Sequence, residues 1–267
     1  MSANSRVVKI TAKATLKNRF VSSVFSALSL IFCCFIGVFS TSYISLVVGD
    51  IVSTVLLLLY SFFLSVPLFF GVLRFFWRML FSSNDNPVSV FYYFSEKTIY
   101  LKCLKLTLKL VLKAIIPAII LFIPVFGLWL VSKGSIFEMI NVSIPLWTAN
   151  LTYIFIFART LAIILLVIHM FKYYLAPLFF IADENMDLDE VMHMSTVISK
   201  KSSIDFSYLI FSFSGWIILS LLVIPLVFTL PYFFSAYTVH FRFAVAEYNK
   251  HVEETVNNDF SFFAAGN

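Results

Sequence analysis

From Phe20 to Val48 the chain carries no charged side chain, and little except serine, threonine and Gly37 interrupts its apolar residues. A bilayer core is crossed by about 20 such residues in helical form, so this run predicts a membrane-spanning helix. Residues 1–19 before it hold five basic side chains and no acidic one. A cleaved signal peptide has an apolar region of only about 7–15 residues ahead of a small-residue cleavage site. The length of the run predicts a retained first helix instead.

The same pattern recurs along the chain. Apolar stretches at 20–43, 51–75, 114–131, 151–171, 205–226 and 231–246 predict six spans, the last short and aromatic. Polar or turn-forming residues separate them at 48–50, 82–87, 132–135 and 182–190. Composition agrees: 61% of residues are hydrophobic, 12% are charged and the mean hydropathy is +0.96. A soluble domain is about a quarter charged, so this chain has too few charges to cover a water-facing surface. The fold class expected is all-α, a polytopic transmembrane helical bundle forming one integral membrane domain over residues 1–267.

Lysine and arginine accumulate on the cytoplasmic side of membrane proteins. With the N-terminus inside, 17 of the 19 fall in inner segments, only Lys133 falls outside, and Arg159 lies within a span. Both termini are therefore expected in the cytoplasm, and the location expected is the plasma (inner) membrane.

The stretch "LKCLKLTLKLVLK" at 101–113 carries two competing periods. Leucine at every even position from Leu104 to Leu112 suggests a strand. Lys102, Lys105, Lys109 and Lys113 instead fall within an arc of about 80° at 100° per residue. An isolated strand entering a bilayer would leave its backbone polar groups unpaired, and leucine and lysine favour helices. An amphipathic helix over 88–113 is predicted, its lysines facing anionic lipid headgroups while their stems snorkel along apolar surface. A second such helix is predicted over 187–201, with Asp187 and Glu190 in an acidic capping arrangement. Leu188, Val191, Met192 and Ile198 then share its apolar face.

Few residues offer chemistry. Arg159, in "IFIFARTLAIILL", is costly at membrane depth and marks either a ligand or ion-pair site, or a structural pairing. Asp183 and Glu184 could bind a cation, but an acidic turn leading into a helix explains them more simply. His169, His193, His240 and His251 lack metal-ligand spacing, GxSxG is absent, and seven glycines form no phosphate loop. Cys33, Cys34 and Cys103 suit neither a metal site nor a disulfide set. The aromatic load, 33 Phe and 12 Tyr, is expected chiefly against lipid and at its interfaces. Asn-X-Ser/Thr triplets at 141–143 and 150–152 match glycosylation acceptors on the outer side. No catalytic residue, metal or cofactor is expected.

Several stretches together carry a resemblance. "AKATLKNRF" at 12–20, "YYLAPLFFIADEN" at 173–185, "FSFSGWIILSLL" at 211–222 and "LPY" at 230–232 resemble, in order and spacing, a bacterial integral-membrane family called domain of unknown function 975. The chain lacks the glycine that family members tend to place before the fifth span, and residues 84–100 have no counterpart. The resemblance implies a six-span bacterial inner-membrane fold and no reaction or functional residue.

The function expected is that of a non-enzymatic scaffold, regulator or assembly component of the plasma membrane. The alternative is a permease or permease subunit for a lipid or other amphiphile, motivated by Arg159 and by proline-interrupted spans. A membrane enzyme would require Asp183, His169 and His240 to converge. The partners expected are the bilayer, anionic lipid headgroups at the cytoplasmic face, and a protein partner or second copy, with no nucleic acid.

Overall fold

The computed structural model describes residues 5–17, 19–81, 86–132, 148–220 and 223–265, which are helical almost throughout. Lys133, the triplet at 141–143 and most of the turn at 82–87 lie outside the described residues. In chain order the helices are α1 (Ser5–Lys17), α2 (Phe20–Val48), α3 (Asp50–Tyr60), α4 (Val66–Met79), α5 (Tyr92–Ser95) and α6 (Lys97–Ser132). They continue with α7 (Thr148–Met170), α8 (Ala176–Ala182), α9 (Leu188–Ser212), α10 (Ser214–Leu219) and α11 (Val223–Ala265). By length and composition, four helical stretches among the described residues suffice to cross a membrane: Phe20–Val48, Asp50–Met79, Lys97–Val131 and Tyr153–Ala182. They overlap the first four expected spans, the third beginning at Lys97 rather than 114 and the fourth running on to Ala182. The chain divides into two compact units, Met1–Leu106 with Leu175–Asn267, and Thr107–Tyr174.

In the first unit, α2 and α3 form an antiparallel pair turned at Gly49, whose φ of 89° lies where a Cβ is strongly disfavoured. Tyr60 fastens the pair by donating its hydroxyl to the Cys33 carbonyl at 2.8 Å. Its ring lies against Gly37, where a Cβ would clash with it. One π-helical turn, Ser61–Ser65, then joins α3 to α4. Such a turn disrupts the regular carbonyl ladder, and here the Phe63 carbonyl accepts from the Tyr100 hydroxyl at 2.9 Å.

α11 is the centre of this unit. Every residue from Phe234 to Phe241 is buried, the pattern of a helix enclosed by protein on all sides. Phe76 of α4 meets Phe234 with ring centroids 5.6 Å apart, and Phe179 of α8 meets Phe241 at 4.8 Å. α9 adds Val191, Ile198 and Leu209. The connection at 87–95 begins with Asn86, whose side chain accepts from the Val88 N–H at 3.2 Å. That connection presses onto α4 at Gly71, where any Cβ would overlap the Val90 carbonyl oxygen. A minority of the phenylalanines, Phe76, Phe179, Phe234 and Phe241 among them, thus builds protein core.

The expected fifth and sixth spans, 205–226 and 231–246, map onto α9–α10 and α11. The helix breaks at Phe213, between α9 and α10. α1 lies along α11: Tyr232 donates its hydroxyl to the Lys9 carbonyl at 3.4 Å, and Ser235 to the Ala12 carbonyl at 3.3 Å. The Phe228 ring stacks on Phe20, the first residue of α2, at 5.8 Å. Val223, where α11 starts, is five residues before Phe228, about 8 Å of helix. The α10–α11 hairpin therefore sits beside the beginning of α2.

The second unit comprises α6 from Thr107 onward, α7 and a 3₁₀ turn at Phe171–Tyr173. Ile116, Ile120 and Ile123 of α6 and Phe157, Val167 and Ile168 of α7 are exposed apolar residues, while Val125 and Ala162 are buried. Outward apolar surface on both helices suits a hydrocarbon solvent. α6 runs unbroken through 101–113, so the lysine period is the real one and the leucine alternation is incidental. The bounds expected for that helix, 88–113, are corrected, since the extended backbone at Glu96 separates 87–95 from α6, which continues to Ser132.

Candidate functional site

Glu184, in the turn between α8 and α9, gathers polar groups from three other segments of the first unit. Arg74 of α4 donates from Nε to Oε1 at 3.1 Å. Tyr92, at the start of α5, donates its hydroxyl to Oε2 at 3.0 Å. Lys102 of α6 donates from Nζ to the Glu184 main-chain carbonyl at 3.0 Å. The Arg74 guanidinium also lies over the Tyr92 ring, 3.4 Å from its centre, a stacked cation–π contact. The Arg74 and Glu184 side chains are only 14% and 21% exposed.

Local structure explains the convergence. Gly71 lets the 87–95 connection approach α4, which sets Tyr92 beside Arg74. Asp183 closes the following turn by accepting from the Asn185 N–H at 2.9 Å. Asp187 then caps α9 by accepting from the Asp189 N–H at 3.1 Å, and Leu188, Val191, Met192 and Ile198 are all buried, as the expected shared face requires. The Tyr92 phenol is pushed above its ordinary value of 10.0, first by burial and then by its hydrogen bond to Glu184 and that carboxylate's charge, with Arg74 opposing. Burial likewise pushes the neighbouring Tyr93 phenol up.

Of the lysine stripe, Lys102 is half-buried in this clamp, while Lys105 and Lys113 are exposed. Arg159 is exposed on α7, its guanidinium 5.8 Å from the Phe155 ring centre one turn earlier. His240 is buried on α11 against the Phe206 ring at 5.1 Å, whereas Asp183 is exposed at the chain turn. Among the described residues no group of three or more His, Cys, Asp or Glu side chains could hold a metal ion.

Two further arrangements lay outside the sequence reading. Between α2 and α3–α4, Cys33 Sγ is 3.3 Å from the Tyr60 hydroxyl and 3.7 Å from the Ser65 hydroxyl. A hollow of about 300 Å³ adjoins them, lined in part by Phe32, Leu64 and Phe94. At the beginning of α2 lies a groove of about 850 Å³, lined by Lys13 and Lys17 of α1 together with Phe20, Trp216 and Phe228. α1 itself was missed. Its buried positions Val8, Ala12 and Leu16 recur at intervals of four, a signal weakened by the lysines between them.

No protein-family model matches the chain, and neither a curated protein nor a solved structure was found to be similar to it.

Proposed function

We propose that this chain is a non-enzymatic scaffold or assembly component of the plasma membrane, with both termini cytoplasmic and its organising core at the inner face. The observation that carries this reading is the Arg74–Glu184–Tyr92–Lys102 clamp. Its charges and hydroxyl are engaged with one another, and they tie α4, α5, α6 and the α8–α9 turn into one unit. A closed polar network rigidifies a surface, which suits a platform better than a moving gate. α11 extends it: 43 residues measure about 65 Å at 1.5 Å per residue, twice the roughly 30 Å of a bilayer core.

The topology proposed with it has four full spans, through α2, α3–α4, α6 and α7. The apolar hairpin of α10 and α11 enters from the inner side and returns. Support comes from Phe228 stacking on Phe20, because a hairpin that begins beside the start of α2 and extends about 8 Å further falls short of crossing. The basic side chains keep their one-sided distribution, since four spans and six both return the chain to its starting side. Kinship with the family called domain of unknown function 975 is proposed on the motifs at 12–20, 173–185 and 211–232.

A permease for an amphiphile is the second reading. It is favoured by the π-helical turn and by the Cys33, Tyr60 and Ser65 groups beside their hollow, since π turns within helices are frequent at functional sites. Native mass spectrometry of the protein in mild detergent separates the two. The scaffold reading expects a stoichiometric complex with a second copy or a membrane partner. A monomer that drives amphiphile uptake in proteoliposomes would contradict it.

A further inference from the structure

We propose that the groove between α1 and the α10–α11 hairpin is a binding site for one anionic phospholipid, with Lys13 and Lys17 holding its phosphate. Ile10, Lys13, Ala14 and Lys17 all line the groove, and their spacing places them on one face of α1. The helix is held with that face turned outward. Its buried side, Val8, Ala12 and Leu16, rests on the protein, and Lys9 donates to the Ser212 carbonyl at 2.7 Å while lying over the Phe213 ring. Lys9 is thereby occupied. Lys13 and Lys17 are exposed and form no ion pair with a described residue.

The volume, about 850 Å³, lies within the roughly 300–1,000 Å³ usual for small-molecule sites. The walls below the lysines are Phe20, Trp216 and Phe228, each of them partly open. Phe20 begins the first apolar helix, so a phosphate at Lys13 and Lys17 sets its acyl chains against those rings at the level where the span starts. Apolar walls alone cannot choose between lipids, because hydrocarbon tails are as apolar as the side chains they would replace. Selectivity comes from charge, and α1 carries four basic residues and no acidic one. The lysine stripe of α6 is a weaker claimant, since Lys102 is already committed to Glu184.

This site goes beyond the scaffold reading and does not depend on it or on topology, because it is tested in detergent. The full chain is titrated with phosphatidylglycerol and with phosphatidylcholine and the bound fractions are read by native mass spectrometry. The wild type should retain phosphatidylglycerol preferentially. Lys13→Gln with Lys17→Gln should lower that retention by roughly five-fold per lysine and leave phosphatidylcholine unchanged. Ala14→Trp, at an exposed lining position, should fill the groove and displace the lipid with both lysines intact. The proposal is overturned if both variants hold phosphatidylglycerol as the wild type does. It is equally overturned if Lys105→Gln, Lys109→Gln and Lys113→Gln together strip the lipid instead. Loss of a dimer on Ala14→Trp with the lipid still bound would assign the groove to a second copy of the chain.

Discussion

In the first unit α11 buries every side chain from Phe234 to Phe241, whereas in the second α7 turns Phe157, Val167 and Ile168 outward. Both helices are rich in the same apolar residues. One is solvated by protein and the other has the surface of a helix solvated by lipid. Close packing tolerates neither added nor missing volume, while a fluid acyl chain adapts to either. The first unit should therefore be sensitive to single atoms, and the second largely indifferent to them.

Two glycines test that contrast most sharply. Gly71→Ala must push the Val90 carbonyl away from α4, and backbone displacement of this kind costs about 3 kcal/mol or more. Most of the folded protein should be lost in a detergent melting assay. Gly127, within α6, has no described residue within 4 Å of where a Cβ would stand. Gly127→Ala should be neutral or stabilising by up to about 1 kcal/mol, and equal damage from both would erase the distinction between the units.

The clamp comes next. Glu184→Ala leaves the little-exposed Arg74 guanidinium without its carboxylate, a loss of about 2–3 kcal/mol. It should appear as a lower melting temperature, whereas a change below about 0.5 kcal/mol would mark the pair as an ordinary surface ion pair. Arg159→Ala, in the second unit, should leave the fold intact, since Arg159 is exposed on α7 and its guanidinium lies 5.8 Å from the Phe155 ring centre. Membrane insertion should remain intact, and loss of folded protein would show a structural partner.

The smallest effect concerns Tyr92. Its phenol is raised above 10.0 in the folded state, so the unfolded chain releases that proton first as pH rises. The contribution is flat below about pH 10 and declines above it. Tyr92→Phe should flatten melting temperature against pH between 9 and 11. An unchanged slope would place the alkaline sensitivity elsewhere.

How much of this was legible depends on whether the deciding contact is local. The helix over 101–113 was readable because bilayer physics forbids a lone strand. Asp187 as a helix cap, with Leu188, Val191, Met192 and Ile198 beneath it, was readable because those residues are neighbours in sequence. The clamp was not, since Arg74 and Glu184 are 110 positions apart and neither carries a local pattern that names the other. The simpler reading of Asp183 and Glu184 as a turn before a helix does describe where they lie. Within the expected sixth span the limit is different, since every residue from Phe234 to Phe241 is buried by protein. Composition and period are the same for a helix enclosed by aromatic side chains and one enclosed by lipid, so residues 231–246 could not announce which solvent surrounds them.

Site-directed labelling at the hairpin tests this most directly. In a background where Cys33, Cys34 and Cys103 are replaced by serine, Ser220→Cys is exposed to a membrane-impermeant maleimide on intact cells. Ser135→Cys serves as the outer control and Lys200→Cys as the inner one. If the hairpin enters and returns on the inner side, Ser220→Cys stays unlabelled from outside while Ser135→Cys labels. Labelling of Ser220→Cys in intact cells would put the hairpin across the membrane, restoring six spans and overturning the account of a one-sided core.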